Sequence, residues 1–217
     1  MNTSLLLLFT LVFTACSTKA PPNRWQYQSN SAYKNFEQYY LENHTDMAAS
    51  EFNRARSYAT QSADLSTLAR IELSRCALKF ALLEPFSCKE YEDLIPLTHD
   101  RELLAYYSFL SGKATAEFQP LLPHQYQKLA SLQIQNNNAL IDQEIKTMTP
   151  LTSRMIAAAL EFKHLDESTI EAIITDASYL GYKHAVIVWM NVLIERTSDS
   201  EKRKILRSKI AVLLKNK

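Results

Sequence analysis

Leu65-Ser66-Thr67-Leu68-Ala69-Arg70-Ile71-Glu72-Leu73-Ser74-Arg75-Cys76-Ala77-Leu78-Lys79-Phe80-Ala81-Leu82-Leu83 is the stretch that decides the fold class. Its apolar members Leu65, Leu68, Ala69, Ile71, Leu73, Cys76, Ala77, Phe80 and Leu83 recur at the spacing of a helical face. The residue before a proline is disfavoured in the α region, so the helix must stop ahead of Pro85.

The same period extends in both directions. Tyr33, Phe36, Tyr40 and Leu41 predict a first helix from about 31 to 43. Thr45 and Asp46 can cap a second, with Ala48, Phe52, Ala55 and Ala59 on one stripe. A short helix at 89–94 should end at Pro96. Another at 100–110 carries Leu103, Leu104, Tyr107 and Leu110 and should stop near Gly112. Residues 112–123, with Pro120 and Pro123, read as a long connection between halves 31–111 and 121–217. Helices at 124–135 and 140–148 flank the polar run Gln135-Asn136-Asn137-Asn138. Thr149 at the N-cap and Pro150 at the first helical position would start the next, bearing Met155, Ile156, Ala159, Leu160 and Phe162. Asp166 caps 170–180, and Gly181 fits the position after a helix end. Residues 185–194 are nearly all apolar, so this helix is expected to be the most buried, around Trp189. Ser198 and Glu201 have capping-box spacing for the last helix. Short joints between about ten helices predict an all-α fold of stacked antiparallel helical hairpins, a solenoid, or alternatively a non-repeating helical bundle.

Composition excludes several classes. Gly112 and Gly181 are the sole glycines, where average usage would give about 15. Phosphate loops and dinucleotide-binding turns need several, because the backbone must approach the phosphate closely or take positive φ. A formal charge of +1 gives no whole-molecule field to hold a polyanion, so no nucleic-acid partner is expected.

The N-terminus reads as an address. The run Leu5-Leu6-Leu7-Leu8-Phe9-Thr10-Leu11-Val12-Phe13 is too short to span a bilayer and fits a signal-peptide core. Phe13-Thr14-Ala15-Cys16 follows, and here the chain resembles bacterial lipoprotein precursors. Two features depart from that pattern: Phe13 replaces the usual aliphatic residue, and 1–4 carry no Lys or Arg. The resemblance implies a signal peptide at 1–15 and acyl chains, palmitate among them, on Cys16. With Ser17 following Cys16, it also implies an outer-membrane anchor facing the periplasm. Residues 16–30, with Pro21 and Pro22, would be the lipidated cysteine and an extended tether before a helical domain at 31–217. Trp25 and Tyr27 in it would dock on the domain or sit at the headgroups.

Two segments resemble helical-repeat families. Ala48, Phe52 and Ala55 match the core of the second helix of a tetratricopeptide repeat, where small residues lie at close helix contacts. Asp176-Ala177-Ser178-Tyr179-Leu180-Gly181, then Ala185 and Trp189, is similar in spacing to Sel1-like repeats. The resemblance implies an adaptor in envelope assembly, secretion or polysaccharide export. No fixed period runs through the whole chain.

Reactive groups are scattered. No two of His44, His99, His124, His164 and His184 stand at i, i+4, so no metal site and no cofactor are expected. Ser31-Ala32-Tyr33-Lys34 has a Ser-x-x-Lys spacing but no Lys-Thr-Gly partner. Glu90, Glu92 and Asp93 would serve glycan cleavage only if two of them flanked a cleft. No catalytic residue is assigned. Cys76 and Cys88 are a possible disulfide, opposed by geometry: Cys88 must fold back about 10 Å along the preceding helix. The last helix sets Lys202, Arg203, Lys204, Arg207, Lys209, Lys215 and Lys217 beside Ile205, Leu206, Ile210, Leu213 and Leu214. Such a helix lies on anionic lipid, lies on a partner, or caps the stack with its charged face in water. The sequence therefore predicts a membrane-anchored, non-enzymatic scaffold for a protein partner. A periplasmic glycan-cleaving enzyme or an enzyme inhibitor is the alternative.

Overall fold

The computed structural model describes residues 23–63 and 65–215. Among them the chain is all-helical, with twelve α-helical segments and no strand. These are α1 (Arg24–Glu42), α2 (Thr45–Ala59), α3 (Ser66–Ala81), α4 (Lys89–Glu92), α5 (Ile95–Thr98), α6 (Arg101–Leu110), α7 (His124–Ile134), α8 (Ile141–Thr147), α9 (Leu151–Leu160), α10 (Glu167–Tyr179), α11 (Lys183–Arg196) and α12 (Ser200–Lys215). No helix among the described residues is long and apolar enough to cross a membrane.

Helices α1 and α2 form the first hairpin. Asn43, left-handed at φ 71°, ends α1, and Phe36 and Phe52 meet across the pair at 4.9 Å. Ala48 and Ala55 are buried in that seam, where small side chains let two backbones approach. The α10–α11 hairpin turns on Gly181. The Gly181 N–H bonds the Ser178 carbonyl and the Tyr182 N–H bonds the Ala177 carbonyl, which satisfies the last carbonyls of α10. That closure puts Gly181 at φ 73°, a conformation glycine takes without a Cβ penalty.

The two expected halves share one core. Buried side chains from Ala32 to Leu206 form a single cluster, α3 packs on α9, and α1 packs on both α3 and α11. Thr152 on α9 donates to Glu37 on α1 at 2.8 Å, and His184 Nδ1 on α11 lies 3.2 Å from the Tyr40 carbonyl. An open solenoid contacts only its neighbours. The α1–α11 contact closes this stack on itself.

Four local expectations need correction. The tether ends sooner than residue 30, because α1 already begins at Arg24. Ser29 is buried there and its hydroxyl donates to the Ala55 carbonyl at 2.8 Å, a tertiary contact that no local pattern announces. Tyr27 stays largely exposed, while Trp25 is half-buried. Pro150 is extended at ψ 172° and its carbonyl accepts from the Arg154 N–H, so Pro150, not Thr149, is the cap of α9. Asp199, not Ser198, caps α12: its Oδ1 accepts from the Glu201 and Lys202 N–H groups at 2.9 and 3.1 Å. The most buried helix is α9, with eight of ten residues inside, rather than α11. Ala157, Ala158 and Ala159 let α9 sit close among its neighbours, whereas Ile187, Val188 and Ile194 of α11 are only partly buried. Trp189 itself is fully buried.

Candidate functional site

Helix α12 holds the candidate site. Leu206, Ile210 and Leu213 recur at i, i+4 and i+7 and face the core. Lys202 fastens the start of the helix to α10, with Nζ 2.9 Å from Glu167 and 2.7 Å from Glu171. Those two carboxylates raise its pKa, so it stays charged and engaged. A second stripe, Glu201, Ile205, Ser208 and Val212, lies beside the first and is exposed. The apolar arc of α12 is thus wider than the surface α11 covers.

That excess forms one wall of an open groove of about 880 Å³. Val186 and Met190 of α11 form the other wall, with Ser178 and Gly181 also contributing. Lys183, Lys204 and Lys209 stand along it against the single acid Glu201. Tyr179, 90% exposed, and Leu180 project from the adjoining turn. The groove joins an apolar floor to a cationic edge, and its lining contains no histidine and no cysteine.

A second concavity of about 250 Å³ lies between α1, α3, α6, α7 and α9. Tyr33, Tyr106 and Tyr126 line it, with Ser74, Gln125, Ser153, Glu37 and Pro123. Burial pushes all three phenols above the ordinary tyrosine value. They remain protonated at neutral pH and act as hydrogen-bonding groups, with Tyr126 joined to Tyr106 and Ser153. The lining holds one carboxylate, Glu37, which accepts from Thr152. The lining brings no second carboxylate and no histidine to Glu37, whose hydroxyl neighbour is Thr152.

The residues singled out in the sequence are dispersed. Cys16 and the whole of 1–22 lie outside the described residues, as does Lys217. Cys76 and Cys88 are joined by a disulfide with Cα atoms 5.4 Å apart. The geometric objection lapses because α3 ends at Ala81 and Leu83, at φ 60°, reverses the chain. The acidic cluster is divided among three cations or donors. Glu90 meets Arg75 at 2.9 Å, Glu92 accepts from the Tyr107 hydroxyl at 2.7 Å, and Asp93 meets Lys89 at 3.1 Å. Glu90 is held below the usual carboxylate range by backbone hydrogen bonding first and by Arg75 after it. Arg75 also reaches the buried Glu72, which Arg56 meets at 2.7 Å, and it lies over the Phe52 ring. Glu72 and Glu90 tie α2, α3 and α4 together, and Glu92 joins α4 to α6. Ser31 and Lys34 are both exposed on α1.

Among the histidines, His99 is left-handed at the end of α5 and the neighbouring Asp100 caps α6. His44 and His164 lie 3.8 Å from Glu42 and Glu161. His124 opens α7. His184 packs edge-on against Tyr40, whose hydroxyl bonds Glu84. Burial lowers the His184 pKa, partly offset by Glu84, and burial raises that of Glu84, partly offset by His184. No group of three or more His, Cys, Asp or Glu among the described residues is placed to hold a metal ion.

Comparison with protein-family models, curated proteins and solved structures finds no match. The groove was only half legible in the sequence. The apolar and basic pattern of α12 was visible, but not that Val186 and Met190, which are core, also floor a groove beside it.

Proposed function

We propose that this chain is an envelope lipoprotein, anchored through acylated Cys16, whose helical domain serves as a scaffold for a protein partner. The observation that carries the scaffold reading is the α11–α12 groove, an open apolar trough with a basic edge and no convergent catalytic set. Helical surfaces of this shape suit a partner helix laid into them. The anchor rests on the apolar run that stops at Phe13-Thr14-Ala15-Cys16 and on the polar, proline-containing stretch after it. Two acyl chains or more would hold the domain stably, since one binds a bilayer only marginally. In the outer membrane the domain would face the periplasm, an oxidising compartment in which the Cys76–Cys88 bridge persists. The glycan-cleaving alternative loses its acids to structural pairings: Glu90, Glu92 and Asp93 each serve a different partner.

The test is fractionation of the full chain and its Cys16→Ser variant. The wild-type chain should sediment with membranes after a high-salt wash and should incorporate labelled palmitate. The variant should incorporate none and should leave the membrane fraction or accumulate unprocessed. A processed variant that still resists the wash would remove the anchor from the reading.

A further inference from the structure

An uncovered apolar trough between two helices is the space a third helix would fill. Val186 and Met190 on α11, and Ile205 and Val212 on α12, recur at spacings of four and seven along helices of fourteen and sixteen residues. The trough is concave, so a flat bilayer surface would reach its rim and not its floor. Val186 and Met190 are already largely buried as the floor, so a helix with its own apolar stripe would enter and cover chiefly the exposed Ile205 and Val212. Charge decides the rest of the occupant. Lys204 and Lys209 are exposed on α12, Lys183 stands on α11, and Glu201 is the acid facing them. Arg203, Arg207 and Lys215 extend the same sign along α12.

We infer that the groove between α11 and α12 binds an acidic amphipathic helix of a partner protein. The inference rests on the scaffold reading and names the chemistry of its partner. Two other occupants fit less well. A second copy of α12 would set basic helix against basic helix, and like charges oppose that pairing. The chain's own residues 1–22 contain no Asp or Glu and carry Lys19, so they offer no complement to the lysines. For an acidic helix, the apolar stripe would supply affinity, and the lysine edge would set orientation and on-rate.

The probe is a displayed library of amphipathic helices as long as α12, with a fixed Leu stripe and a randomised polar face. It is selected against the full chain in detergent micelles. The selected polar faces should be enriched in Asp and Glu. Their affinity should fall at least about tenfold for Val212→Asp and for the double variant Lys204→Glu, Lys209→Glu. Both variants alter exposed positions, and an unchanged helical circular-dichroism spectrum would show that the fold persists. Selected faces without acidic enrichment would overturn the inference. So would undiminished binding to Val212→Asp, or failure to select any helix. The same holds if Val212→Asp abolishes flotation with phosphatidylglycerol vesicles while helix binding is unaffected. Photo-crosslinking from position 212 in envelope preparations separates this inference from the reading it rests on. Partners captured by the chain but not through position 212 would remove the groove and keep the scaffold. Capture of no partner from any surface position would remove the scaffold.

Discussion

Helices α9 and α12 stand at opposite ends of one scale. Eight of the ten residues of α9 are buried, and one of the sixteen of α12, Leu206. Composition separates them in part, with one charged residue in α9 and seven in α12. Position does the rest. Helix α9 is enclosed by α3, α7, α8 and α10, while α12 rests mainly on α11. What α9 spends on the core, α12 keeps at the surface. Ile205, Val212 and Leu214 are each roughly half exposed or more. Of these, Ile205 and Val212 share one face beside the trough and its lysines, the surface proposed above to take a partner.

Perturbing the enclosed and the open regions should give unequal effects. The largest is expected inside. Trp189→Ala, at the junction of the core with α11, should lower stability by about 3 to 5 kcal/mol. Chemical denaturation measures it. A loss under about 1 kcal/mol would mean that the interior is as tolerant as α12, and the comparison would fail. Trp189→Phe should cost much less, since the indole N–H has no hydrogen-bond partner to lose.

Next is the disulfide. Replacing Cys76 and Cys88 together by Ala should cost about 2 to 3 kcal/mol, the chain entropy regained by the unfolded loop. The melting temperature of the double variant, set against oxidised wild type, reads it out. A difference between the double variant and reduced wild type would assign part of the effect to side-chain packing.

A smaller effect belongs to the Tyr40–Glu84–His184 cluster, which joins α1 to α11. The folded state holds His184 below its ordinary pKa, so its contribution is complete above the usual imidazole value. It is lost as pH falls through that value to the folded one, because the unfolded chain then takes up a proton that the native state refuses. Glu84 has a raised folded pKa and runs the opposite way, over the higher carboxylate range. His184→Gln should therefore flatten the fall in melting temperature between about pH 7 and pH 5 relative to wild type. Parallel profiles would place the pH response elsewhere.

The smallest effect is expected in the open groove. Val212→Asp should change stability by no more than about 0.5 kcal/mol, as surface substitutions do. A cost near that of Trp189→Ala would show that the second stripe of α12 is core after all, and the groove would lose its claim to a partner.

The sequence by itself determined the helical class and most element boundaries, because a period of 3.6 and the placement of Pro and Gly are local properties. The helix at 65–83 and the stop before Pro85 were read from neighbours a few residues apart, and so was the turn at Gly181. The sequence also placed Trp189 in the interior. It could not place what depends on distant residues. Ser29 joins a helix because Ala55 offers it a carbonyl, and Cys88 reaches Cys76 because Leu83 reverses the chain. Tyr33, Tyr106 and Tyr126 meet from three separate helices, with no shared spacing to announce them. Above all, periodicity says that a helix has an apolar face and not how much of that face a neighbour covers. Only the packing of α12 on α11 decided that Leu206 would be core while Ile205 and Val212 line an open groove, since coverage belongs to pairs of helices and not to either sequence alone.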